Sequence, residues 1–380
     1  MEFCAQEIVN GLILGSLEAN NRAVKARLSQ NPEPATHRTP PPYPKLDAER
    51  DAWILAQRSG RNQLDPQRPY HFCFEEERTE SGEVAGVATI FLANRECPWR
   101  CLMCDLWRNT LAETGPPGSI PAQIDHALAR LPAAKTLKLY NSGSFFDRAA
   151  IPPGEYPAIA ERARRFERVI VECHPALVGE ACLRFRDLLA ASSPFPLKGE
   201  RAGVRGEVVP LASRSKLEVA MGLETVHREV LARLNKRMTL EQFAKAANFL
   251  RKNEIALRVF ILVKPPFLDE EEALDWAKRS LDFAFDCGAS VASLIPTRSG
   301  NGALEALAKR QEFSPPNLTT LERAAEYGVA LRRGRVFADL WDLEKFSDCA
   351  ACFPARLARL REMNHRQSLL ASVTCSKCGR

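Results

Sequence analysis

Several features that define other protein classes are missing from this sequence. It contains no apolar run of about 18 or more residues, so no transmembrane helix is predicted. The first residues, MEFCAQEIVNGLILGSLEANN, carry Glu2 and Glu7 and no basic segment. We therefore predict a short amphipathic helix there rather than a signal peptide, and we expect a cytoplasmic location without a membrane partner.

Neither cysteine content nor net charge is high. The 12 cysteines among 380 residues are far too few for a disulfide scaffold. Seven of them fall into two tight groups, which indicates metal binding or catalysis in a reducing compartment. The 53 basic and 47 acidic residues give a formal charge of +6. That charge permits a nucleic-acid partner but does not by itself argue for one.

Composition divides the chain into three regions. Residues 1–50 contain the predicted helix and a proline-rich linker, NPEPATHRTPPPYPKL, which cannot form a central strand. Residues 51–345 form the main predicted domain, and residues 346–380 form a cysteine-containing tail. Within the main domain, residues 192–216 are rich in Pro, Gly, Arg and Lys and are predicted to be a disordered surface insertion. A basic loop that contacts RNA is the alternative.

The main domain alternates between strand and helix patterns about six times. Apolar strand patterns occupy residues 87–94, 136–144, 168–175, 217–225, 256–266 and 289–300. Helical patterns separate most of these strands, including residues 120–131, 154–166, 226–234, 239–252 and 269–288. Such alternation predicts an α/β fold with a parallel sheet, either an open sheet or a full or partial barrel.

Three cysteines follow the first of these strands. The stretch ECPWRCLMCDLW (residues 96–107) spaces Cys97, Cys101 and Cys104 as C-x3-C-x2-C. Thiolates bind soft metals and iron–sulfur clusters. Three thiolates on a four-iron cluster leave one iron open, and an open metal position is where chemistry occurs. A structural zinc loop or three buried thiols is the competing interpretation.

This loop, placed after the first strand of an α/β repeat, resembles the radical S-adenosylmethionine (SAM) superfamily. The resemblance implies a partial (β/α)6 TIM-type barrel. It also implies that Cys97, Cys101 and Cys104 hold a [4Fe–4S] cluster whose open iron binds SAM. An electron from the cluster would then cleave SAM to a 5′-deoxyadenosyl radical, and an external flavodoxin- or ferredoxin-type reductant would supply that electron.

The resemblance also suggests cofactor-binding residues. Met103 stands where the family usually has an aromatic residue near the adenine, and Trp99 or Trp107 is an alternative source of that ring. Asn141, Ser142, Gly143 and Ser144 occupy the small segment that holds the methionine amino group in the family. The acidic residue often present in that segment is absent here.

Charged residues near the ends of later strands are candidates for catalysis. LEVAMGLET (residues 217–225) places Glu218 and Glu224 at the predicted barrel mouth, and Glu224 is chosen for a ribose or substrate contact. Lys264 and Arg298 follow the next two strands and are further candidates. His174 also ends a strand, where a turn histidine is favoured over a proton donor.

Five further segments resemble one branch of the superfamily. They are LKLYNSGSFFD, LEVAMGLET, FILVKPPFLDEEEA, SLIPTRSGNGALEAL and the C-terminal cysteine pairs. That branch contains the radical SAM subunit of archaeosine synthase and its bacterial relatives, near the Elp3 and methylthiotransferase enzymes. The resemblance implies radical chemistry on a modified base of the 7-deazaguanine type in tRNA.

The tail contains a second set of cysteines. Cys349, Cys352, Cys375 and Cys378 form two C-x2-C pairs, a closed set suited to structural zinc, with a second iron–sulfur cluster as the alternative. The helical-looking stretch between them carries Arg356, Arg359, Arg361, His365 and Arg366. A phosphate-binding helix and a solvated basic face are the two interpretations of that stretch.

The leading functional prediction is a radical SAM enzyme that modifies a tRNA base. The same radical chemistry on a small molecule or a protein is the first alternative. A zinc-dependent RNA-binding protein without catalysis is the second. An iron–sulfur electron carrier is a third, which the count of three cysteines disfavours.

Overall fold

The computed structural model describes residues 40–191 and 215–379, and residues from Tyr43 onward form one compact unit. The predicted N-terminal helix lies outside the described residues. So does the predicted insertion at 192–216, apart from Ser215 and Lys216.

The centre of the unit is one eight-stranded sheet whose strands follow one another in chain order. β1 pairs with β2 in antiparallel fashion, and every later pair is parallel. The strands are β1 (His71–Arg78), β2 (Val84–Leu92), β3 (Thr136–Asn141), β4 (Arg168–Glu172), β5 (Lys216–Glu224), β6 (Ala256–Val263), β7 (Val291–Pro296) and β8 (Arg335–Ala338).

Helices lie between the parallel strands, one helix precedes β1 and one follows β8, and most of them pack against one face of the sheet. They are α1 (Asp47–Ala56), α2 (Ser119–Leu128), α3 (Tyr156–Ala163), α4 (Glu180–Ala190), α5 (Arg228–Arg233), α6 (Leu240–Lys252), α7 (Glu270–Asp286), α8 (Ala303–Ala308), α9 (Leu318–Leu331) and α10 (Phe353–Arg366). Short 3-10 turns cover Leu106–Asn109, Pro153–Glu155, Pro175–Leu177 and Leu343–Phe346.

Local sequence explains where several helices begin. Thr239 and Gln242 form a reciprocal capping box at the start of α6, which satisfies two backbone N–H groups that have no partner inside the helix. The Asp269 side chain accepts from the Glu272 N–H at the start of α7, and three glutamates fill the first turn. Negative charge there is favoured by the helix dipole.

Alternation along the strands separates an apolar face from a polar face. On β3, Leu137 and Leu139 are fully buried in the main hydrophobic cluster with the helices. The intervening Lys138 and Tyr140 face the other way, because successive side chains of a strand point to opposite faces. We call the space on that second face the lumen.

The partial-barrel prediction is confirmed, and the six predicted strands correspond to β2–β7. Two edge strands, β1 and β8, were not predicted. β1 reads HFCFEEER, and its glutamates hide the apolar pattern. β8 has four residues, too few to give a periodic signal.

The two edges of the sheet approach each other, so the sheet curls into a nearly closed barrel. Arg335 of β8 donates from Nη1 to the carbonyl oxygen of Arg78 at the end of β1, at 2.7 Å. α10 packs along both edge strands. We call this junction of β1, β8 and α10 the seam.

Two side-chain amides, one on α10 and one on the residue that ends it, complete the backbone hydrogen bonding of β8. Asn364 accepts from the Ala338 N–H and donates to its carbonyl oxygen, both at 2.9 Å. Gln367 pairs with the backbone of Val336 in the same way, at 2.7 and 2.8 Å. The exposed edge of β8 is thereby protected from pairing with another chain.

Buried ion pairs fill the lumen near the start of the strands. Arg258 pairs with Glu77 and, at 2.7 Å, with Glu218, while Lys138 lies 2.8 Å from Glu77. Glu218 also pairs with Arg168 at 2.9 Å and has no exposed surface. The prediction that Glu218 lies at the barrel mouth is therefore wrong. It sits near the start of β5, and we call this charged layer the floor of the lumen.

Candidate functional site

The three cysteines of the C-x3-C-x2-C stretch lie in the loop that leaves the carboxyl end of β2. All three are partly buried, and burial raises the pKa of the Cys97 thiol and raises that of Cys101 to about 12. Burial and the charges of Cys101 and Cys97 raise the pKa of Cys104 as well. The ionised thiols thus raise the pKa of their neighbour. All three can therefore be ionised together only beside a cationic partner.

Amide side chains from distant segments hold the backbone of this loop. Asn235 donates to the carbonyl oxygen of Arg100, and Asn301 donates to that of Leu102, each at 2.7 Å. The Leu102 N–H donates to the Leu234 carbonyl oxygen at 2.9 Å. The cysteines are therefore carried on a backbone that is fixed by partners after α5 and β7.

Trp99 and His174 form a stacked pair beside the loop, with ring centroids 3.8 Å apart. His174 Nδ1 accepts from the Ala176 N–H, so Nε2 carries the proton and donates to the Lys236 carbonyl oxygen at 2.9 Å. Burial and the charge of Lys236 lower the pKa of His174 to about 4. His174 is therefore a neutral residue that holds a turn and positions Lys236, as the favoured interpretation of the sequence had it.

The segment Asn141–Ser144 lies against the cysteine loop. A Cβ on Gly143 would meet the Cys97 Cβ at 2.6 Å, and Gly143 has a φ of 145°. Only glycine fits there without moving Cys97. Asn141 is 1% exposed, and within the described residues neither polar atom of its side chain has a hydrogen-bond partner. An orphaned buried amide of this kind is a feature that a bound polar ligand would explain.

Glu224 forms a buried ion pair with Lys236, close to the cysteines. Glu224 has a φ of 66° and follows an irregularity in the pairing of β5 with β6 at Gly222. A Cβ on Gly222 would collide with both charged groups. Although burial opposes it, the charges of Glu224, Cys101 and Cys104 raise the pKa of Lys236.

Glu172, the last residue of β4, is a second carboxyl group in this region. Its Oε2 accepts the Asn141 N–H at 3.1 Å. Burial raises the pKa of Glu172 to about 8, and the charge of Glu224 acts in the same direction. Our sequence reasoning missed both Glu172 and Lys236. A carboxylate inside the apolar strand RVIVE is a signal that could have revealed Glu172, whereas nothing in LNKRM marks Lys236.

The other predicted site residues are engaged elsewhere. Lys264 lies 3.0 Å from Glu270 and donates to Ser314 Oγ at 2.7 Å. Arg298 pairs with Asp339 at 2.8 Å. Met103 is partly buried and packs against two small apolar clusters. The structure thus brings Glu224 to the cysteine loop but gives Lys264 and Arg298 partners of their own, and their catalytic roles stay predictions.

The four tail cysteines form a compact group. The sulfurs of Cys349, Cys352, Cys375 and Cys378 all lie within 4.8 Å of one another, and those of Cys352 and Cys378 are 3.9 Å apart. Cys352 is the N-cap residue of α10. Backbone N–H groups at this helix start lower the pKa of Cys349 to about 7, which favours the thiolate that a metal requires.

The arginines of α10 are largely used inside the protein. Arg356 pairs with Glu322 at 2.6 Å and Arg359 with Glu326 at 2.6 Å, and both arginines are buried. Neither is therefore free to bind a phosphate, which weakens the predicted phosphate-binding helix. Among the described residues, no helix combines the length and apolarity that crossing a membrane requires.

Comparison with known proteins places this geometry in context. No protein-family model matches the chain. Archaeosine synthase subunit beta of Methanosarcina acetivorans is 24% identical over 243 residues, which span 61% of this chain and 64% of that protein. The subunit of the same name from Thermococcus kodakarensis is 29% identical over 182 residues, 47% of this chain and 50% of that protein.

Solved structures give weaker matches. The match to Elp3 of Methanocaldococcus infernus has a TM-score of 0.43 at 11% identity. It covers 65% of this chain and 59% of the Elp3 chain. Another match is coproporphyrinogen III oxidase of Escherichia coli, which is described as a radical SAM enzyme. It has a TM-score of 0.40 at 12% identity, and the match covers 74% of this chain and 55% of the oxidase. The matched region thus spans about half to two thirds of the curated relatives, and this chain resembles archaeosine synthase subunit beta in sequence.

Proposed function

We propose that this protein is a radical SAM enzyme. The observation that carries the proposal is the set of three partly buried thiols at the carboxyl end of β2, pressed against Gly143. Three protein thiolates suit a cluster that keeps one position for a cofactor.

The residues around the thiols fit the cofactor as well. When bound, a [4Fe–4S] cluster supplies the electron that cleaves SAM and yields a 5′-deoxyadenosyl radical. The Lys236 ammonium is suited to a carboxylate, and the Asn141 amide offers both a donor and an acceptor. Gly143, which has no side chain, lets this segment lie directly against the cysteine loop.

We further propose a substrate and a partner. The likeness to archaeosine synthase subunit beta supports a modified base of the 7-deazaguanine type in tRNA as the substrate. Because those relatives are named as subunits, we also propose a partner chain. A flavodoxin- or ferredoxin-type protein is the proposed reductant.

The test is anaerobic reconstitution with iron and sulfide, followed by SAM and dithionite. We expect iron binding and 5′-deoxyadenosine, detected by mass spectrometry. Cys101→Ala should lose both, whereas Cys287→Ala, which changes a partly buried thiol beyond the end of α7, should keep both. Full 5′-deoxyadenosine production by Cys101→Ala would refute the ligand assignment.

The RNA part of the proposal has a separate test. A gel shift with tRNA at low salt should show binding, because contacts with phosphates strengthen as salt falls. No shift at low salt, with 5′-deoxyadenosine still formed, would favour a small-molecule or protein substrate instead.

We propose a single zinc ion for the four tail cysteines. Zinc–thiolate bonds of about 2.3 Å in a tetrahedron place the sulfurs about 3.8 Å apart, and the 3.9 Å between Cys352 and Cys378 matches that spacing. A cubane binds each thiolate at a different iron and spreads the sulfurs further. Native mass spectrometry should show one zinc per chain that Cys375→Ser removes, and iron retained at this site would contradict the proposal.

A further inference from the structure

Six rings form a continuous layer in the lumen. They are Tyr70, His71, Phe91, Tyr140, Phe260 and Trp341, which we call the ring layer. Phe91 contacts Tyr70, Trp341 and Tyr140 with centroids 5.7, 5.7 and 6.0 Å apart. Tyr140 contacts Phe260 at 6.1 Å. Residues from the two ends of the sheet thus meet across the lumen, because the barrel is nearly closed.

The exposure of these rings differs from that of rings in the core. On the helix side, Phe145, Tyr156 and Phe185 have no exposed surface. Every ring of the lumen layer keeps some exposed surface, and Trp341 is 40% exposed. These three core rings are thus completely buried, whereas the six rings of the lumen layer stay partly open. Rings that stay open inside a barrel are typical of a surface that a ligand covers.

The position of the ring layer is set by strand alternation. Tyr140 lies two residues after Lys138 on β3, and Phe260 lies two residues after Arg258 on β6. The rings therefore lie one step above the charged floor, on the side towards the carboxyl ends of the strands. Tyr70 and Phe91 connect the layer to the site, because Tyr70 contacts Phe91 and Phe91 lies at the end of β2, which leads directly into the cysteine loop.

A carboxyl group borders the layer. Glu172 faces the lumen, because Val169 and Val171 of the same strand face the core and successive side chains alternate. One oxygen accepts the Asn141 N–H, and within the described residues the other makes no hydrogen bond. Because burial raises the pKa of Glu172 to about 8, the group is protonated at neutral pH, with the proton on its free oxygen. A planar ligand that stacks on the rings would thus meet a carboxyl group that donates its O–H and accepts at its other oxygen.

Resting on the proposed function, we propose that the ring layer is the seat of the substrate. This substrate is a flat heteroaromatic base that stacks on the face of Phe91, meets Tyr140 edge to face because the two rings are steeply inclined, and pairs an adjacent C=O and N–H with the Glu172 carboxyl group. Aromatic side chains bind bases through their faces, and carboxyl groups select the bases that present N–H donors. The seat lies next to the cysteine loop, where a reacting base must be.

The test measures nucleoside binding to the full chain by saturation-transfer NMR and calorimetry. Guanosine, which has adjacent N–H donors, should bind more tightly than purine riboside, which has none, and ribose 5-phosphate should not bind. Phe91→Leu and Tyr140→Leu should weaken guanosine about tenfold, since stacking on one ring contributes about 1–3 kcal/mol. Glu172→Leu, which has neither a donor nor an acceptor, should remove the preference for guanosine over purine riboside.

Two further variants guard against loss of folding. Phe74→Leu changes a ring on the outer face of β1, 36% exposed, and should leave binding unchanged. Trp341→Leu changes the most exposed ring of the layer and should weaken binding without lowering the unfolding temperature. Equal guanosine binding by the parent protein and Phe91→Leu, or no saturable binding at millimolar guanosine, would overturn the proposal.

The outcome is separable from the radical SAM proposal. The parent protein and Phe74→Leu, which lies outside the ring layer, should both form 5′-deoxyadenosine from SAM and dithionite when no nucleoside is present. If the parent protein binds guanosine through the rings but never forms 5′-deoxyadenosine, the proposed function fails and the seat stands. If 5′-deoxyadenosine forms and changes to the rings do not affect guanosine binding, the ring layer is not the substrate site, and the radical SAM proposal is unaffected.

Discussion

At the scale of single residues, Gly143 shows how tightly the strand end and the cysteine loop are fitted. Its φ of 145° is rarely adopted by other residues, and an added Cβ would lie 2.6 Å from the Cys97 Cβ. Both facts make the position intolerant of a side chain. One methyl group added at Gly143 would therefore displace the cysteine loop.

We predict that Gly143→Ala lowers the free energy of unfolding by about 1–3 kcal/mol and reduces iron incorporation after reconstitution. Two controls separate strain from collision. Gly154→Ala has open space and no positive φ, and Gly118→Ala has a positive φ of 82° but open space. Urea unfolding and iron assays on the three variants make the comparison. If Gly118→Ala loses as much iron as Gly143→Ala, collision with Cys97 is not the cause.

Glu172 gives a pH-dependent prediction at the same scale. Its pKa is raised from 4.5 to about 8 by burial, so the folded protein holds a proton there that the unfolded chain releases above about pH 4.5. This contribution to stability is therefore complete below about pH 4.5 and is lost as the pH rises through 8. Glu172→Gln should flatten the fall in unfolding free energy between pH 5 and 8. A slope identical to that of the parent protein in urea titrations would show that Glu172 does not titrate in this range.

At the scale of elements, side chains at the end of α10 take the place of a ninth strand, because they are the hydrogen-bond partners of the β8 backbone. Asn364 and Gln367 satisfy the outward backbone groups of Ala338 and Val336. Replacing them leaves two donors and two acceptors of β8 without these partners.

We predict that Asn364→Ala and Gln367→Ala each destabilise the protein by about 1–3 kcal/mol, since unsatisfied backbone groups are costly. The double variant should also associate through the freed edge of β8. Glu362→Gln is the matched control on α10, because it removes only an exposed ion pair with Arg366, which contributes little. Thermal unfolding and light scattering measure both effects. Wild-type values for the double variant would show that the seam does not depend on these amides.

At the scale of the whole molecule, the tail cysteines connect to the closure of the barrel. Cys349 and Cys352 come just before the first residue of α10, and Cys375 and Cys378 come after its last residue. An ion held by all four therefore joins the start of this helix to the chain beyond its end. Since α10 lies on both edge strands, such an ion would stabilise the seam.

We predict that a zinc chelator lowers the unfolding temperature and increases hydrogen exchange in β1, β8 and α10, because binding energy at a structural metal site contributes directly to folding. Exchange in β4 and β5 should change little. The control is Cys375→Ser, which should show the same pattern without chelator and no further change with it. A uniform increase across all strands would argue against a local role at the seam.

Much of the fold could be predicted from the sequence, because its signals are local. The spacing of Cys97, Cys101 and Cys104 lies within one short stretch, and the six central strands each show an apolar run between turn residues. β1 and β8 escaped prediction, since one is rich in glutamate and the other has four residues. Glu218 was wrongly placed at the barrel mouth, although as the second residue of the predicted strand 217–225 it could lie only near the start of that strand.

The sequence by itself determined the parallel α/β order, the three-thiol loop and the four-thiol tail, since each depends on neighbours along the chain. Only the tertiary structure decided that Lys236 pairs with Glu224, that α10 joins the two edges of the sheet, and that rings from β2, β3 and β6 meet in one layer. Those contacts form between residues distant in sequence, when the sheet curls and brings its first and last strands together.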